Sequence, residues 1–234
     1  MNMRKLTELA GWERLLKKIL WAQLGDMKDK KILDFGSGEG ITANYFAKDN
    51  EVVAVEPWEE MLQNRWKDYE YLQIQGDISA VAEMKENSFD VVFCHNVLEY
   101  IDDKTQIVKE LCRVLKPGGM LSIVKHNRAG RVMQMAVLLD DFEKAHDLLD
   151  GKDSAASKFG AIRYYEDESV SNWEPSLKLV DSFGIRTFWD LQQKQEKHSL
   201  DEWQDKMVEL EMRVSQMEEF RAIAFFHHLV FEKE

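Results

Sequence analysis

Short apolar runs of strand length alternate with helical patterns between residues 30 and 127, and this alternation constrains the fold more than any other feature. A parallel strand needs a long crossover connection, so strands separated by helices are typical of parallel βαβ units. The runs are rich in Val, Ile, Leu and Phe, as expected of strands that helices cover on both faces. We therefore predict an α/β fold with parallel strands at 30–35, 51–56, 71–75, 90–95 and 120–126.

The remaining elements are predicted from spacing. The clearest helix begins after Asp102 and Asp103, two potential N-caps, and ends before the KPGG segment at 116–119. Apolar side chains that recur at three- and four-residue steps indicate amphipathic helices in the second half of the chain. The elements predicted there are a helix over 132–149, a loop over 151–165, a helix over 169–182, strands over 184–191 and 222–232, and an acidic-faced helix over 200–217.

Composition limits the classes of partner. The chain of 234 residues has 31 Lys and Arg against 43 Asp and Glu, and its net charge of −12 disfavours broad attraction to polyanions. No apolar run approaches the ~20 residues that cross a bilayer, and the N-terminus lacks the pattern of a secretory signal. Cys94 and Cys112 make no disulfide framework. A cytoplasmic protein is expected.

The strongest local signal is DFGSGEG at 34–40, between the first predicted strand and a helix. Glycines let the backbone turn tightly and bring its N–H groups against a ligand. The spacing is not that of a P-loop, because no lysine follows Gly40, nor of a dinucleotide fingerprint, because Ile41 stands where the third glycine is required. A tight turn without a ligand is the alternative for this motif alone.

Three acids stand at the ends of successive strands: Asp34 before the glycines, Glu56 at the end of the second strand, and Asp77 just past the third. Open α/β sheets bind ligands in the crevice at the carboxyl ends of their strands, where an acid such as Glu56 can accept hydrogen bonds from ribose hydroxyls. Each acid alone is more often a cap or turn residue. Together they favour a ligand site.

These blocks resemble the motifs of the class I S-adenosylmethionine-dependent methyltransferases. The glycine turn, Glu56 and Gly76-Asp77-Ile78 match the first three motifs, and FDVVFCHNVLEYIDD (89–103) and LCRVLKPGG (111–119) match the fourth-strand region and the segment after it. The five blocks occur in the family's order over about 30–128. The resemblance implies a Rossmann-like seven-stranded sheet with helices on both faces and a helical insertion after the fifth strand.

The resemblance also suggests how the chain is organised. No Pro/Gly-rich linker divides it, so we predict one methyltransferase domain over 1–234. Its predicted parts are an N-terminal helical segment (1–27), a cofactor-binding half (28–128), an insertion or lid (129–183), and C-terminal strands with a helix (184–234).

By the same resemblance the chain would bind S-adenosyl-L-methionine and release S-adenosyl-L-homocysteine. The glycine turn would cradle the methionyl part, Glu56 the ribose, and Asp77 with Ile78 the adenine. His95 and Asn96 would line the cofactor opposite the turn, although a strand-end histidine often only packs. The residues assigned to the cofactor are Asp34, Gly36, Ser37, Gly38, Gly40, Glu56, Pro57, Asp77, Ile78, His95 and Asn96; no metal is implied.

Outside the cofactor half the resemblance narrows to the SmtA-like group. This group includes a tRNA 5-carboxymethoxyuridine methyltransferase, which esterifies the carboxylate of a modified anticodon uridine. The matching features are ILW at 19–21, GEG at 38–40, HNVLEY at 95–100, HNRAG at 126–130 and GIRTFWDL at 184–191.

In this interpretation Arg186 is the main candidate for binding the methyl-accepting substrate, because a guanidinium group can pair with a substrate carboxylate. The equally weighted alternative is a surface strand residue paired with an acid. Asn127 and Arg128 follow the fifth strand and are further candidates. His126 is either a general base for a hydroxyl acceptor or simply the last residue of a strand. A carboxylate nucleophile needs no base, so no catalytic residue is assigned.

Two other functions stay open. RNA binding needs concentrated positive charge, but Asp and Glu residues lie among Lys152, Lys158 and Arg163 in the sequence. A basic patch would form only if these three residues meet Arg128 and Arg131 in space. A small-molecule O- or C-methyltransferase is therefore an alternative. A non-catalytic cofactor-binding subunit, docked through its acidic helix, is another, although such a charge run is more often a solvated face. We expect a monomer or homodimer without a membrane span.

Overall fold

The computed structural model describes residues 4–157 and 160–234. The described strands, in chain order, are β1 (Lys31–Phe35), β2 (Glu51–Glu56), β3 (Leu72–Gln75), β4 (Phe89–His95), β5 (Leu115–His126), β6 (Ser154–Ser157), β7 (Gly160–Ile162), β8 (Leu177–Ile185) and β9 (Phe226–Lys233). All except β6 and β7, which form a small antiparallel ribbon, belong to one seven-stranded sheet.

The helices pack on both faces of this sheet. The α-helices are α1 (Gly11–Leu24), α2 (Ile41–Phe46), α3 (Glu59–Gln63), α4 (Ile78–Ala82), α5 (Lys104–Val114), α6 (Arg128–Met133), α7 (Phe142–Leu149), α8 (Ser169–Trp173), α9 (Asp201–Val214) and α10 (Glu218–Arg221). Short 3₁₀ turns lie at Leu6–Glu8, Leu98–Tyr100, Trp189–Leu191 and Gln195–Lys197, and a π-helical turn lies at Gln134–Leu138. No helix in the two described ranges has both the length and the apolar character needed to span a bilayer.

The strand order is β3-β2-β1-β4-β5-β9-β8. The first five strands are parallel, and β9 runs antiparallel to both of its neighbours, β5 and β8. This seven-stranded mixed sheet with helices on both faces confirms the predicted fold class. The parallel part reverses its strand order between β1 and β4, which is where such sheets form a ligand crevice.

Each face of the sheet carries its own core. On one face, side chains such as Leu33 and Ile123 pack with Leu111 of α5 and Val170 of α8. On the other face, Ile32 and Phe93 pack with Ala43 and Phe46 of α2, and Leu15 and Ile19 of α1 pack with Val124 and Phe226. Because successive strand residues alternate between faces, the face of any strand residue follows from its register.

The predictions for the first half of the chain are confirmed. All five parallel strands occur, and Asp103 caps α5 by accepting the backbone N–H of Gln106 at 3.0 Å. One boundary differs. The KPGG segment lies inside β5, which begins at Leu115 and changes register against β4 between Phe89 and Val91.

Several predictions beyond Asn127 are wrong. The helix predicted over 132–149 is interrupted, because the π-helical turn is followed by Asp140 at φ +52° and Asp141 caps a new helix, α7, through the backbone N–H of Lys144. The loop predicted over 151–165 contains β6 and β7. The acidic-faced helix predicted over 200–217 is present as α9.

The C-terminal strands also differ from prediction. The helix predicted over 169–182 ends at Trp173, and the edge strand β8 follows it. The strand predicted over 184–191 ends at Ile185, because Arg186 adopts φ +63° and turns the chain out of the sheet. The strand predicted over 222–232 begins only at Phe226. Since β8 starts at Leu177, the predicted insertion boundary at residue 183 falls inside the main sheet.

Candidate functional site

The glycine turn lies between β1 and α2. Gly36, Gly38 and Gly40 all have positive φ, at 73°, 56° and 67°, which side chains other than glycine rarely tolerate. A Cβ atom at Gly36 would lie 2.3 Å from Val97 Cγ2, so the backbone here is pressed against the segment that follows β4. A Cβ atom at Gly38 would meet nothing within 4 Å. The turn is therefore closed at its start and open at its centre.

Glu56 is anchored to this turn. Its side chain is only 4% exposed, and its two carboxylate oxygens accept the backbone N–H groups of Gly38 at 2.8 Å and Trp58 at 2.9 Å. Each carboxylate oxygen has two lone-pair positions, so one backbone bond leaves room for another donor. The arrangement can hold a ligand with hydroxyl groups while fixing the glycine turn.

Asp34 presents a buried acceptor. Its side chain is 3% exposed and accepts the backbone N–H of Ala43, but its Oδ2 atom has no partner among the described residues. Burial raises the pKa of this carboxyl to about 6, although the Lys17 ammonium acts in the opposite direction. Lys17 reaches the same region from α1 and donates to Thr42 Oγ1 at 2.8 Å. A buried unsatisfied acceptor is costly unless a ligand donates to it.

Asp77 and its neighbours lie at the end of β3. Asp77 caps α4, because its Oδ1 atom accepts both the backbone N–H of Ser79 at 2.9 Å and the Ser79 hydroxyl at 2.7 Å. The Ser79 hydroxyl is the main cause that lowers the pKa of this exposed carboxyl. Ile78 packs at the border of one core, and Pro57 is exposed. Asp77 therefore caps α4, and its carboxylate remains exposed at the end of β3.

His95 and Asn96 lie at the end of β4, the strand that pairs with β1. His95 Nε2 bonds Ser122 Oγ at 2.9 Å, whereas its Nδ1 atom is buried without a partner in the described ranges. Burial lowers the pKa of His95 well below its usual value. Asn96 has φ +56°, and its Oδ1 atom is likewise buried and unpartnered among residues 4–157 and 160–234. Each residue therefore keeps one buried polar side-chain atom without a described partner at the carboxyl end of β4.

Strand alternation explains why these groups meet. Ile32, Ala54 and Phe93 share the core under α2, and Asp34, Glu56 and His95 each stand two residues further along the same strands. Two residues on, a side chain returns to the same face of the sheet. The structure therefore brings together the acids of β1 and β2 and the imidazole of β4 on one face, at the carboxyl edge.

A second group of polar side chains lies beyond β4 and β5. Glu99 is 1% exposed; its Oε1 atom accepts the backbone N–H of His126 at 3.2 Å, and its Oε2 atom has no described partner. Burial raises the pKa of Glu99 to about 7 and lowers that of His126 to about 3. The His126 Nδ1 atom and the Tyr165 hydroxyl are also buried without described partners. We call Glu99, His126 and Tyr165 the neutral cluster, since the histidine and tyrosine carry no charge near pH 7.

Asn127 and Arg128 are occupied by structural contacts. Asn127 caps α6 through the backbone N–H of Ala129 at 3.3 Å, and its amide donates to the carbonyls of Ala222 at 2.9 Å and Ala224 at 2.8 Å. The Arg128 guanidinium donates to the carbonyls of Leu148 and Lys152 and lies 4.6 Å from the Tyr164 ring. Both residues hold the segment after β5 in place.

Arg186 forms a buried ion pair. Its side chain is 6% exposed, and its guanidinium donates through two nitrogens to the two carboxylate oxygens of Asp190. The guanidinium also lies 4.5 Å from the centre of the Phe225 ring. Of the two alternatives for Arg186, the structure matches pairing with an acid, but in the interior rather than at the surface. The two guanidinium nitrogens that a substrate carboxylate would need are therefore already bonded to Asp190.

Three basic residues of the segment after β5 each have an acidic or amide partner in the described ranges. Arg163 pairs with Asp102 at 2.9 Å and Lys152 with Asp147 at 2.5 Å, while Arg131 donates to Gln134. Lys158 lies outside the described residues. These basic side chains are therefore already bonded within the chain, whereas RNA phosphates need basic groups that are free to bind them.

Sequence reasoning missed several residues of this region. Lys17 and Gln23 come from α1, and Glu99, Ser122 and His228 were not singled out. Glu99 had a signal, since a single acid inside the apolar run VLEYI has to be satisfied in the interior. The residues described include no cluster of three or more His, Cys, Asp or Glu side chains that could hold a metal ion.

Comparison with known proteins finds similarity to methyltransferases. Residues 33–123 match a family model described as a methyltransferase domain. The chain is 26% identical, over 94% of its length and 88% of the relative, to tRNA 5-carboxymethoxyuridine methyltransferase of Escherichia coli (strain K12). It is 30% identical to ubiquinone biosynthesis O-methyltransferase of Klebsiella pneumoniae (strain 342) over 49% of this chain and 50% of that protein.

A solved structure shows the same fold. It is Burkholderia thailandensis 1,6-didemethyltoxoflavin-N1-methyltransferase, which contains bound 1,6-didemethyltoxoflavin and S-adenosylhomocysteine. The TM-score is 0.56 with 16% identity, and the alignment covers 97% of this chain and 80% of that one.

Proposed function

We propose that this chain, which is an S-adenosylmethionine-dependent methyltransferase, transfers the methyl group to a carboxylate of a modified uridine in tRNA. One observation carries the choice of acceptor. The similarity to the tRNA 5-carboxymethoxyuridine methyltransferase covers 94% of this chain, whereas the similarity to the ubiquinone biosynthesis enzyme covers 49%. Similarity over nearly the whole chain, rather than over half of it, supports the acceptor class of the tRNA relative.

The cofactor would occupy the crevice over the glycine turn. In this proposal the Gly36–Gly40 backbone holds the methionyl part, Glu56 the ribose, and Asp77 with Ile78 the adenine. The unpartnered Oδ2 atom of Asp34 and the open space in front of Gly38 are what such a ligand would fill. When bound, the cofactor supplies an electrophilic methyl group on a positively charged sulfur.

The residues of the chain then have to orient the acceptor and exclude water, because an in-line transfer to a carboxylate needs position more than proton transfer. This agrees with His126, whose buried ring is a poor base because its pKa lies near 3. We propose that the neutral cluster replaces Arg186 as the acceptor-facing group. The Tyr165 hydroxyl can donate to a carboxylate oxygen, and Glu99 can donate when it is protonated.

Nucleoside analysis of tRNA provides the test. Purified protein is incubated with methyl-labelled cofactor and tRNA, in parallel with tRNA whose carboxylate-bearing uridines are absent. We expect label in a base-labile methyl ester of one modified uridine in the first sample alone. Equal label in both samples, or none in either, would contradict the proposed acceptor. A Glu56→Ala variant is the control for cofactor-dependent transfer.

A small-molecule acceptor is the second candidate, and the charge distribution favours it. The net charge is −12, and Arg128, Arg131, Lys152 and Arg163 each bond an acid, an amide or backbone carbonyls of the chain itself. The discriminating measurement is label transfer in a cell extract before and after ribonuclease treatment. Label that survives the nuclease and partitions into small metabolites would favour this second acceptor class.

A further inference from the structure

A line of hydrogen bonds crosses the sheet from α1 to the crevice. The Gln23 amide nitrogen donates to the carbonyl of Gly184 at 3.1 Å, and its Oε1 atom bonds His228 Nδ1 at 2.9 Å. His228 Nε2 bonds Ser122 Oγ at 2.9 Å, and the same oxygen bonds His95 Nε2 at 2.9 Å. We call Gln23, His228, Ser122 and His95 the relay.

The carbonyl of Gly184 sets the direction of the relay. A backbone carbonyl can only accept, so the nitrogen of the Gln23 amide must face it, and the amide oxygen must face His228. An amide oxygen can only accept as well. His228 Nδ1 therefore carries a proton and donates it to Gln23.

The burial of His228 determines which atom donates in the next hydrogen bond, between His228 and Ser122. His228 is fully buried, and the relay gives its ring an amide oxygen and a hydroxyl as partners but no carboxylate. Charging such a ring is costly, so it carries one proton, at Nδ1, and its Nε2 atom is an acceptor. Ser122 must donate its single hydroxyl proton to that atom. Ser122 Oγ can then only accept from His95, which places a proton on His95 Nε2.

The last step concerns the free edge of the His95 ring. A neutral imidazole with its proton at Nε2 has a lone pair at Nδ1, and this atom is buried without a partner in the described part of the chain. Asp34 Oδ2 is a second buried acceptor without a described partner, on the same face of the sheet. The charged group of α1 that acts on both side chains is Lys17. Two unsatisfied acceptors call for a ligand that brings N–H or O–H donors.

We propose that the relay fixes His95 as the Nε2–H tautomer, so that its Nδ1 lone pair accepts a hydrogen bond from a donor of the bound ligand. Gln23, Ser122 and His228 are then positioning residues that act through His95. The inference rests on the cofactor site proposed above but does not depend on the tRNA acceptor. The donor is an N–H of the cofactor's ammonium group or an O–H or N–H of the acceptor.

Two measurements test the proposal. The first is the tautomer of His95, read by NMR of protein labelled with ¹⁵N-histidine, with His95→Gln to assign its signals. The second is calorimetric affinity for two probes, S-adenosylhomocysteine, which has the ammonium group, and 5′-methylthioadenosine, which lacks it. The variants are Ser122→Ala and Gln23→Met. Gln204→Met is the matched control, because this glutamine donates to the carbonyls of Gly11 and His198 and lies outside the relay.

We expect native His95 to be protonated at Nε2, and both relay variants to give mixed tautomers. Loss of one ordered acceptor should weaken S-adenosylhomocysteine binding about fivefold, with methylthioadenosine unchanged, if the cofactor is the donor. If the acceptor is the donor, both affinities stay constant and KM for the acceptor rises by a similar factor. A native His95 protonated at Nδ1 would overturn the proposal, as would equal effects of Gln23→Met and Gln204→Met on the tautomer.

Discussion

Glu56 and Arg186 are both buried charged side chains at the ends of strands of one sheet, yet their charges are satisfied in opposite ways. Two backbone N–H groups hold Glu56, and its negative charge is not cancelled by a cation in direct contact. Asp190 holds Arg186 through both oxygens and cancels its charge. A buried carboxylate that only backbone N–H groups hold can still bind a ligand. In a bidentate ion pair, the guanidinium donors that would bind a ligand already bond the carboxylate of the protein.

The same contrast separates other individual residues of the molecule. In the crevice, Asp34, His95 and Asn96 each keep an unpartnered buried acceptor within the described ranges. After β5, the side chains of Asn127 and Arg128 each donate to two backbone carbonyls. Residue type alone therefore does not identify a binding residue. What distinguishes these two groups of residues is the number of hydrogen bonds that each side chain can still form after folding.

The largest expected effect comes from breaking the Arg186 pair. Arg186→Ala leaves Asp190 buried without its cation and should lower the free energy of unfolding by about 3–5 kcal/mol. The double variant Arg186→Met/Asp190→Leu removes both charges and should recover most of that loss. Urea unfolding measures both. A stable double variant that binds cofactor but no longer transfers methyl groups would show that Arg186 contacts the acceptor after all.

Glu99 lies between the two extremes, with one oxygen bonded and one unpartnered in the described structure. Its pKa is raised by burial from 4.5 to about 7, so the native state binds the proton more tightly than the unfolded chain. Stability should therefore fall as pH rises from 4.5 to 7, by on the order of 3 kcal/mol in total. Glu99→Gln removes this contribution, and its unfolding free energy should depend less on pH over that interval. Parallel curves for the two proteins would refute this assignment.

Glu56 is the other residue of the comparison with Arg186, and its substitution is expected to affect ligand binding. Glu56→Ala should weaken cofactor binding by about 2 kcal/mol, or roughly thirtyfold, because charge-assisted hydrogen bonds to the ligand are lost. Glu211 is a matched control, since it is also buried and accepts two backbone N–H groups, from Thr187 and Phe188. Glu211→Ala should destabilise the fold without changing the affinity of the folded protein, as measured by calorimetry. Equal losses of affinity would remove the distinction between the two carboxylates.

The smallest expected effect is at Tyr165. Tyr165→Phe removes a buried hydroxyl that has no described partner, so stability should stay constant or rise slightly. If the hydroxyl donates to the acceptor, KM for the acceptor should rise about fivefold, and cofactor affinity should not change. Steady-state kinetics and thermal unfolding measure the two quantities. Tyr164→Phe is the neighbouring control, and an equal change in KM there would count against a specific contact.

The parallel half of the fold was predictable because its information is local. Each of the first five strands is a short apolar run, and Asp103 is a cap that can be recognised from its position before α5. The edge strand β8 was not, because its side chains are mixed and Leu179 and Val180 are exposed. Its conformation depends on pairing with β9, which lies far along the chain. Tertiary context overrides local preference in such strands.

The site divides in the same way. The glycine turn and the acids of β1 and β2 could be found because each ends its own strand. The pairing of Arg186 with Asp190 could not, because the predicted strand would separate the two by several residues of extended chain, and only the turn at φ +63° brings them together. The relay joins α1, β4, β5 and β9, so no spacing in the sequence encodes it.

The position of β9 has a consequence for the order of folding. β9 lies between β5 and β8, although β8 precedes it in the chain. During synthesis β1 to β5 can pair as they emerge, but β8 has no neighbour in the sheet until residues 226–233 are available. Until then its apolar side chains, together with the exposed edge of β5, are open to wrong partners. The antiparallel edge formed by β8 and β9 can therefore be completed only after the last strand of the chain is available.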